Sequence, residues 1–219
     1  MSKSALAKQL ETRVGQCVLT APGSAVFAGM EGDPVPLGQH LRFFGDGYQI
    51  SKRIRGRRFW RIPVMDGEFL CEETTGRCPA IGGGNFLVLG ASQAQVLTAC
   101  EKAVAAMRAL PNVILPFPGG IVRSGSKIGS KYAALPASTN DAFCPTLQAL
   151  THGQLAPEIK SVLEIVVNGL SDEDIARAMR AGIDAVCAQG ADQGILGVTA
   201  GNYGGKLGPH HFHLHEVMA

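Results

Sequence analysis

Two stretches of this chain, 79 residues apart, carry the same pattern, and that repeat restricts the fold more than any other feature. Asn85–Gly90 is an apolar run followed by Ser92, and Glu164–Gly169 is another followed by Ser171. Beyond each serine, residues of one helical face recur at the same four places. They are Val96, Cys100, Ala103 and Met107 in the first copy, and Ile175, Met179, Gly182 and Val186 in the second. Ser92 and Ser171 suit helix N-caps, because a serine hydroxyl accepts from an N–H that the first turn leaves unpaired. Asp172, Glu173 and Asp174 add negative charge at the positive end of the second helix. Each copy then reaches glycine-rich sequence with a lysine at the equivalent place, Lys127 and Lys206. Two β-α-β units that lay both helices on one face of a shared sheet predict an α+β chain with a ferredoxin-like sandwich.

The flanks are less regular. Residues 4–16 predict an amphipathic helix with Leu6, Leu10 and Val14 on one side. Residues 57–64 and 68–72 predict a hairpin closed at Asp66-Gly67. At the other end His211, His213 and His215 alternate as on one face of a short last strand. Two such histidines could converge on a metal, but no carboxylate or thiol in the pattern completes a ligand set. A polar strand face without metal is the better reading.

Composition narrows the class. Apolar residues at 46 % supply a core, and a net charge of +2 is neither the signature of disorder nor of a nucleic-acid binder. Charged residues are only 17 %, against about 25 % in typical domains. A charge-poor, glycine-rich surface fits a subunit that hides part of itself in an interface. The six cysteines, Cys17, Cys71, Cys78, Cys100, Cys144 and Cys187, form no C-x-x-C pair. Reduced, mostly buried thiols in a cytoplasmic protein are expected. The N-terminus has no sustained apolar segment, and the longest apolar run, residues 80–91, is interrupted by Asn85 and too short to span a bilayer. No membrane association is expected.

Three motifs could carry chemistry. Gly119–Lys127 resembles a phosphate loop, but Ser126 intervenes before the lysine and the stretch ends a β-α unit where a phosphate loop would open one. It remains either a loop lining a pocket for a polar or anionic ligand or a structural turn. Residues 52–61 hold six cations in ten positions: Lys52, Arg53, Arg55, Arg57, Arg58 and Arg61. That run is a solvated face, a contact for a multiply anionic small molecule, or a nucleic-acid contact. Phe86, the one aromatic in the clear central strands, gives little support to an RNA-binding sheet. Glu164 shares a strand face with Val162 and Val166, so it is either solvated or buried and functional. Burial without a cation would keep it protonated near neutral pH, and a neutral carboxylic acid can donate to a developing oxyanion.

Several longer strings point to one family. Residues 43–49 (Phe-Phe-Gly-Asp-Gly-Tyr-Gln), 83–86 (Gly-Gly-Asn-Phe) and 116–124 (Pro-Phe-Pro-Gly-Gly-Ile-Val-Arg-Ser) resemble formylmethanofuran–tetrahydromethanopterin formyltransferases. So do residues 135–146, 164–170 and 200–208, the last containing Asn202. The resemblance runs from about residue 5 to the end. It implies a two-lobed α+β subunit, a homotetramer, and no metal or tightly bound cofactor. The two coenzymes, methanofuran (or methylofuran) and tetrahydromethanopterin, are substrates between which a formyl group moves through a tetrahedral intermediate in a ternary complex. Glu164 matches the family's glutamate proposed to stabilise the oxyanion. Arg123, Ser124, Ser126, Lys127, Asn140, Asp141 and Asn202 are implied as coenzyme-binding residues. Members carry a further segment before the helix at 4–16, so residues 1–60 are expected to be an incomplete first, proximal lobe and 61–219 a distal ferredoxin-like lobe. The basic run suggests the bacterial form, whose coenzyme bears a polyglutamate tail and whose enzyme works beside hydrolase subunits. A non-catalytic subunit that only positions the coenzyme, or acts as a scaffold in that complex, is the alternative.

Overall fold

The repeat becomes two halves of one antiparallel sheet. The structure, a computed structural model, describes residues 2–151, 153, 155–201 and 208–219. It divides into two compact units, Met1–Pro79 and Ala80–Ala219. The expected boundary at residue 60 is therefore too early. It would cut a strand that is paired on both sides.

In the first unit α1 (Lys3–Arg13) starts at Ser2, whose hydroxyl accepts from the Ala5 N–H at 3.2 Å. It widens into a π turn over Val14–Val18. Leu6 stays exposed, while Val14 is buried and Leu10 half-buried against the core, so the apolar stripe is narrower than its spacing predicts. The chain continues through β1 (Ala25–Val26), β2 (Asp33–Pro36), α2 (Gly38–Leu41), β3 (Ile50–Ile54), β4 (Arg57–Val64), β5 (Gly67–Glu72) and β6 (Thr74–Arg77). Four of these strands form a sheet ordered β1-β5-β4-β3, and β2 pairs separately with β6. Val14, Leu37, Trp60, Ile62, Phe69 and Cys71 make its core.

The predicted hairpin is present as β4–β5. Val64 pairs with Gly67, which puts the turn at Met65-Asp66, one residue before the predicted tip. A second hairpin, β3–β4, turns at Arg55-Gly56, where both residues take positive φ (49° and 81°) as a two-residue type I′ turn requires. Glu72 is buried at the end of β5. It accepts from Arg57 Nε at 2.6 Å, from Arg57 Nη2, and from the Ala28 N–H at 2.8 Å.

The second unit runs β7 (Ile81–Gly90), α3 (Gln93–Arg108), β8 (Val113–Ile114), β9 (Ser126–Ile128), β10 (Ala137–Thr139), β11 (Ser161–Gly169), α4 (Asp172–Cys187), β12 (Ile195–Thr199) and α5 (Leu214–Val217). Its main sheet is ordered β12-β7-β11-β8 and is antiparallel throughout. That is the ferredoxin-like arrangement. Ser92 and Ser171 cap α3 and α4, accepting from the N–H groups of Gln95 (3.4 Å) and Asp174 (3.2 Å). All eight repeat positions on the two helices are buried. They pack on Phe86, Val88, Leu163, Ile165 and Val167 from the sheet. Each fully buried Val, Leu, Ile, Phe or Met side chain contributes about 1.5–3 kcal/mol, and this face holds the larger of the unit's two buried clusters.

Gly182 lies where the second helix meets the first. A Cβ there would sit 2.7 Å from Met107 Sδ and 3.0 Å from Phe86 Cζ. Lys206, the second lysine of the repeat, lies outside the described residues.

Two expectations need correction. The histidines do not form a last strand: residues 208–213 have no regular structure, and His213 precedes the turn of helix α5. The cause is the apolar spacing. Leu214 and Val217, three apart, pack on the core together with Phe212, and Arg180 Nε donates to the Val217 carbonyl at 2.8 Å. The cysteines are also less buried than expected. Cys71 and Cys100 are buried, and burial pushes both thiols up to about 12. Cys17, Cys78 and Cys187 are exposed, lying on the π turn, just after β6 and at the last residue of α4. Among the described residues no helix is long and apolar enough to cross a membrane.

Two outcomes are expected. Replacing Gly182 with Val should cost about 1–3 kcal/mol through overpacking. Gly182→Ala should be nearer neutral, because the flexible Met107 can yield and alanine returns about 1 kcal/mol of helix propensity. Thermal melts followed by far-UV circular dichroism would check this, and an unperturbed Val variant would contradict the close approach.

The second concerns acid. The hydrogen bonds from Arg57, and then from Ala28, hold the Glu72 carboxyl below the ordinary carboxylate range. A group with a depressed folded pKa stabilises above its unfolded value and loses that contribution as pH falls through the folded one. Trp60, the single tryptophan, is buried in the first unit and reports on it. Melting followed by its fluorescence should drop steeply as pH falls through and below the carboxylate range. Glu72→Gln should flatten that drop while lowering stability at neutral pH.

Candidate active site

Strand β11 has two faces. Its burial alternates along its whole length, with Leu163, Ile165 and Val167 under the helices. Glu164 is half-buried on the opposite face, with Val162 and Val166 as alternation predicts. That face is covered by the segment between β8 and β11. Phe143 and Ile159 from this segment pack on Leu87 and Leu89 of β7, with Ala142, Leu155 and Val162 around them. A cavity of about 90 Å³ lies beside this cluster. Glu164, Val122, Arg123, Ser124, Asn140 and Cys144 are among its lining residues.

Backbone pairing holds the loop against the acid. The Val122 N–H donates to the Glu164 carbonyl at 2.8 Å, and the Glu164 N–H donates to the Val122 carbonyl at 2.9 Å. Arg123 and Ser124 therefore leave the sheet directly beside Glu164. Asn85 of β7 donates from Nδ2 to Glu164 Oε1 at 2.6 Å.

The structure brings Glu164, Arg123, Ser124 and Asn140 to one cavity. Ser126 and Lys127 are exposed on a two-stranded sheet, where β9 pairs with β10 and Ser126 faces Thr139. Lys127 is ion-paired with Asp141 and holds its carboxyl below the ordinary range. These two expected binding residues satisfy each other, and neither lines the cavity. Asn202 lies outside the described residues. Sequence reasoning missed Asn85 and Cys144. The signal for Asn85 was present, since it is the repeat equivalent of Glu164.

The other charged features are less available than their sequence implies. In the basic run Arg57, Arg58 and Arg61 pair with Glu72, Glu73 and Glu68. Lys52, Arg53 and Arg55 are exposed on the β3 side of the hairpin. A larger cavity of about 500 Å³ in the first unit is lined by Arg57 and Glu72, whose charges are used on each other. The His211 and His213 rings stack at 6.4 Å, and His210 Nδ1 meets Asp172 Oδ1 at 2.8 Å. Among the described residues no group of three His, Cys, Asp or Glu side chains is placed to hold a metal.

Comparison with known proteins agrees with this architecture. The family model described as formylmethanofuran-tetrahydromethanopterin formyltransferase matches residues 1–64, and the one described as "FTR, proximal lobe" matches residues 67–217. The proximal label thus falls on the second unit, the reverse of the expected assignment. The formyltransferase of that name from Methylococcus capsulatus is 69 % identical over all of this chain and 74 % of its own length. The crystal structure of the formyltransferase/hydrolase complex from Methylorubrum extorquens with methylofuran superposes with a TM-score of 0.93 at 50 % identity, covering 100 % of this chain and 73 % of that one. The formyltransferase of Methanosarcina barkeri gives 0.90 at 45 % identity, covering 99 % and 73 %. With both family models matched in order along its length, this chain belongs to the formylmethanofuran–tetrahydromethanopterin formyltransferase family.

Proposed function

We propose that this chain transfers a formyl group between the amine of a methanofuran-type coenzyme and N5 of tetrahydromethanopterin, with Glu164 as the acid that stabilises the intermediate. The observation that carries the reading is Glu164 at the wall of a small cavity with Arg123, Ser124 and Asn140. In the forward sense N5 attacks the formyl carbon, and the carbonyl π electrons move to oxygen. In its protonated form the Glu164 carboxyl donates a hydrogen bond to that oxyanion. Collapse re-forms the C=O bond and breaks the bond to the methanofuran nitrogen, which takes up the proton lost from N5. Arg123 and Ser124 bind polar or anionic parts of a coenzyme. Lys127 and Asp141 act further out, on the part of the coenzyme beyond the cavity, and Asn202 completes the binding set. The working form is a cytoplasmic homotetramer associated with hydrolase subunits. Exposed Phe43, Phe44 and Tyr48 supply apolar surface suited to association.

Glu164→Ala should lower turnover by about 10²–10³, the loss seen when an oxyanion donor is removed. Glu164→Gln, whose amide still donates, should retain more. Steady-state formyl transfer between the two coenzymes checks both, and an Ala variant within a few-fold of the parent would favour the non-catalytic reading.

The exposed cations Lys52, Arg53 and Arg55 are proposed to attract a polyanionic coenzyme tail. Exposed charges are screened beyond a Debye length of about 8 Å at 0.15 M salt. Apparent coenzyme affinity should therefore weaken as salt rises, and reversing these three charges should flatten the dependence. Changing Arg57 should instead lower stability, since it would strand the buried Glu72, whereas Arg58 and Arg61 pair with solvent-accessible glutamates and should matter less. An unaltered salt slope in the triple variant would leave the run as a solvated face.

A further inference from the structure

Asn85 and Glu164 occupy the same place in the two halves of the repeat, and the fold makes them meet. In the β7–β11 pair Asn85 lies opposite Val166, and Glu164 lies opposite Leu87. Each pairing is the repeat image of the other, so a local two-fold axis runs between them. Asn85 and Glu164 are diagonal neighbours across that axis on the cavity face. Diagonal neighbours in an antiparallel pair are about 7–8 Å apart, within reach of longer side chains. A faithful repeat would place two carboxylates or two amides there, and two carboxylates at this range cannot both ionise. Here one partner is a donor and the other an acceptor, and they are 2.6 Å apart. Asn85 is also held from above. The backbone at Gly201 passes so close that a Cβ there would sit 2.6 Å from Asn85 Nδ2.

We infer that Asn85 is the positioning residue for Glu164, holding Oε1 as the acceptor so that the acid's proton is carried on Oε2. Without that bond the carboxyl can rotate about its last torsion, and either oxygen can carry the proton. The aim of the donor into the cavity is then lost, while the coenzyme contacts of Arg123 and Ser124 stay in place. Misplacing a reacting group by about 1 Å can cost on the order of 10²-fold. The effect should fall on kcat and leave KM nearly unchanged. The inference rests on Glu164 being the acid, and the experiment separates the two.

Steady-state transfer would be measured across pH for the parent, Glu164→Ala, Asn85→Ala, Asn85→Asp and the double Ala variant. Besides Glu164, the charged or titratable groups among the described residues lining the cavity are Arg123 and Cys144. Asn85→Ala should lower kcat by about 10–100-fold with KM within about threefold. The double variant should be no worse than Glu164→Ala alone, because Asn85 acts through the acid. Asn85→Asp is nearly isosteric and keeps the test sound if the Ala variant folds poorly. It forces two carboxylates to share a proton, so the alkaline fall in kcat, where the acid loses its proton, should move to higher pH by about one unit or more. Activity retained by Glu164→Ala would overturn the reading of Glu164 itself. If that variant is impaired, three results overturn only the role of Asn85: an unchanged Asn85→Ala kcat, an unmoved Asn85→Asp profile, or a further tenfold loss in the double variant.

Discussion

The pairing of β7 with β11 is the constraint on which the second unit depends. It joins the two halves of the repeat along the full length of β11, from Ser161 opposite Gly90 to Gly169 opposite Ile81, with one irregularity between Val167 and Asn168. Because side chains alternate across a strand, this register decides two things at once. It sends Phe86, Val88, Leu163, Ile165 and Val167 under the helices, and it sends Asn85, Leu87, Leu89, Val162 and Glu164 to the other side. A slip of one residue would bury the carboxyl among apolar side chains and expose the core. The burial that stabilises the sheet is therefore also what keeps Glu164 at the cavity.

The repeat is kept where packing is the only demand and broken where chemistry enters. Under the helices the two copies match in burial place for place while the side chains differ in size, and the missing side chain at Gly182 lets the helices meet over Phe86 and Met107. On the other face the copies part company. Each helix is followed within eight residues by a strand of the sheet, β8 after α3 and β12 after α4, but the link from β8 to β11 that joins the two halves is more than forty residues long. That link supplies Val122, Arg123, Ser124, Asn140, Phe143 and Cys144 among the residues that cover the cavity. One face of the sheet is thus a scaffold, and the other becomes a site because the link between the two halves folds over it.

What could be read in the sequence follows the range of the interactions involved. Helix caps at Ser92 and Ser171, the eight buried helix positions and the β4–β5 hairpin depend on neighbours a few residues away, and they were legible. Glu164 was legible too, because a carboxylate in an apolar strand is conspicuous. The unit boundary was not, since the partner that fixes β4 is β5 and the turn between them carries no mark of a domain edge. The histidine segment misled because alternation of one residue type resembles a strand, while the apolar Leu214 and Val217 at helical spacing decide the outcome. Asn85 was hidden by a register that only the paired strands define. The basic run gave the charges but not their partners: Glu68, Glu72 and Glu73 lie on or just beyond the neighbouring strand.

The same attention to partners bears on what holds Arg123 in place. Among the polar interactions that tie its loop down are the Lys127–Asp141 ion pair and the double backbone bond between Val122 and Glu164. The ion pair is conspicuous, but both side chains are substantially exposed, and pairs of that kind contribute about 0–1 kcal/mol and less in salt. The backbone bonds contribute about 1 kcal/mol each, are insensitive to salt, and lie beside β11 where breaking them would unpair two N–H and two C=O groups. They also act at the residue next to Arg123, whereas the ion pair acts four residues further on. The loop is therefore positioned by the strand that carries the acid, and the ion pair steadies only its outer end. Any movement of β11 that displaced Glu164 would carry Arg123 with it, keeping the two groups in register with each other.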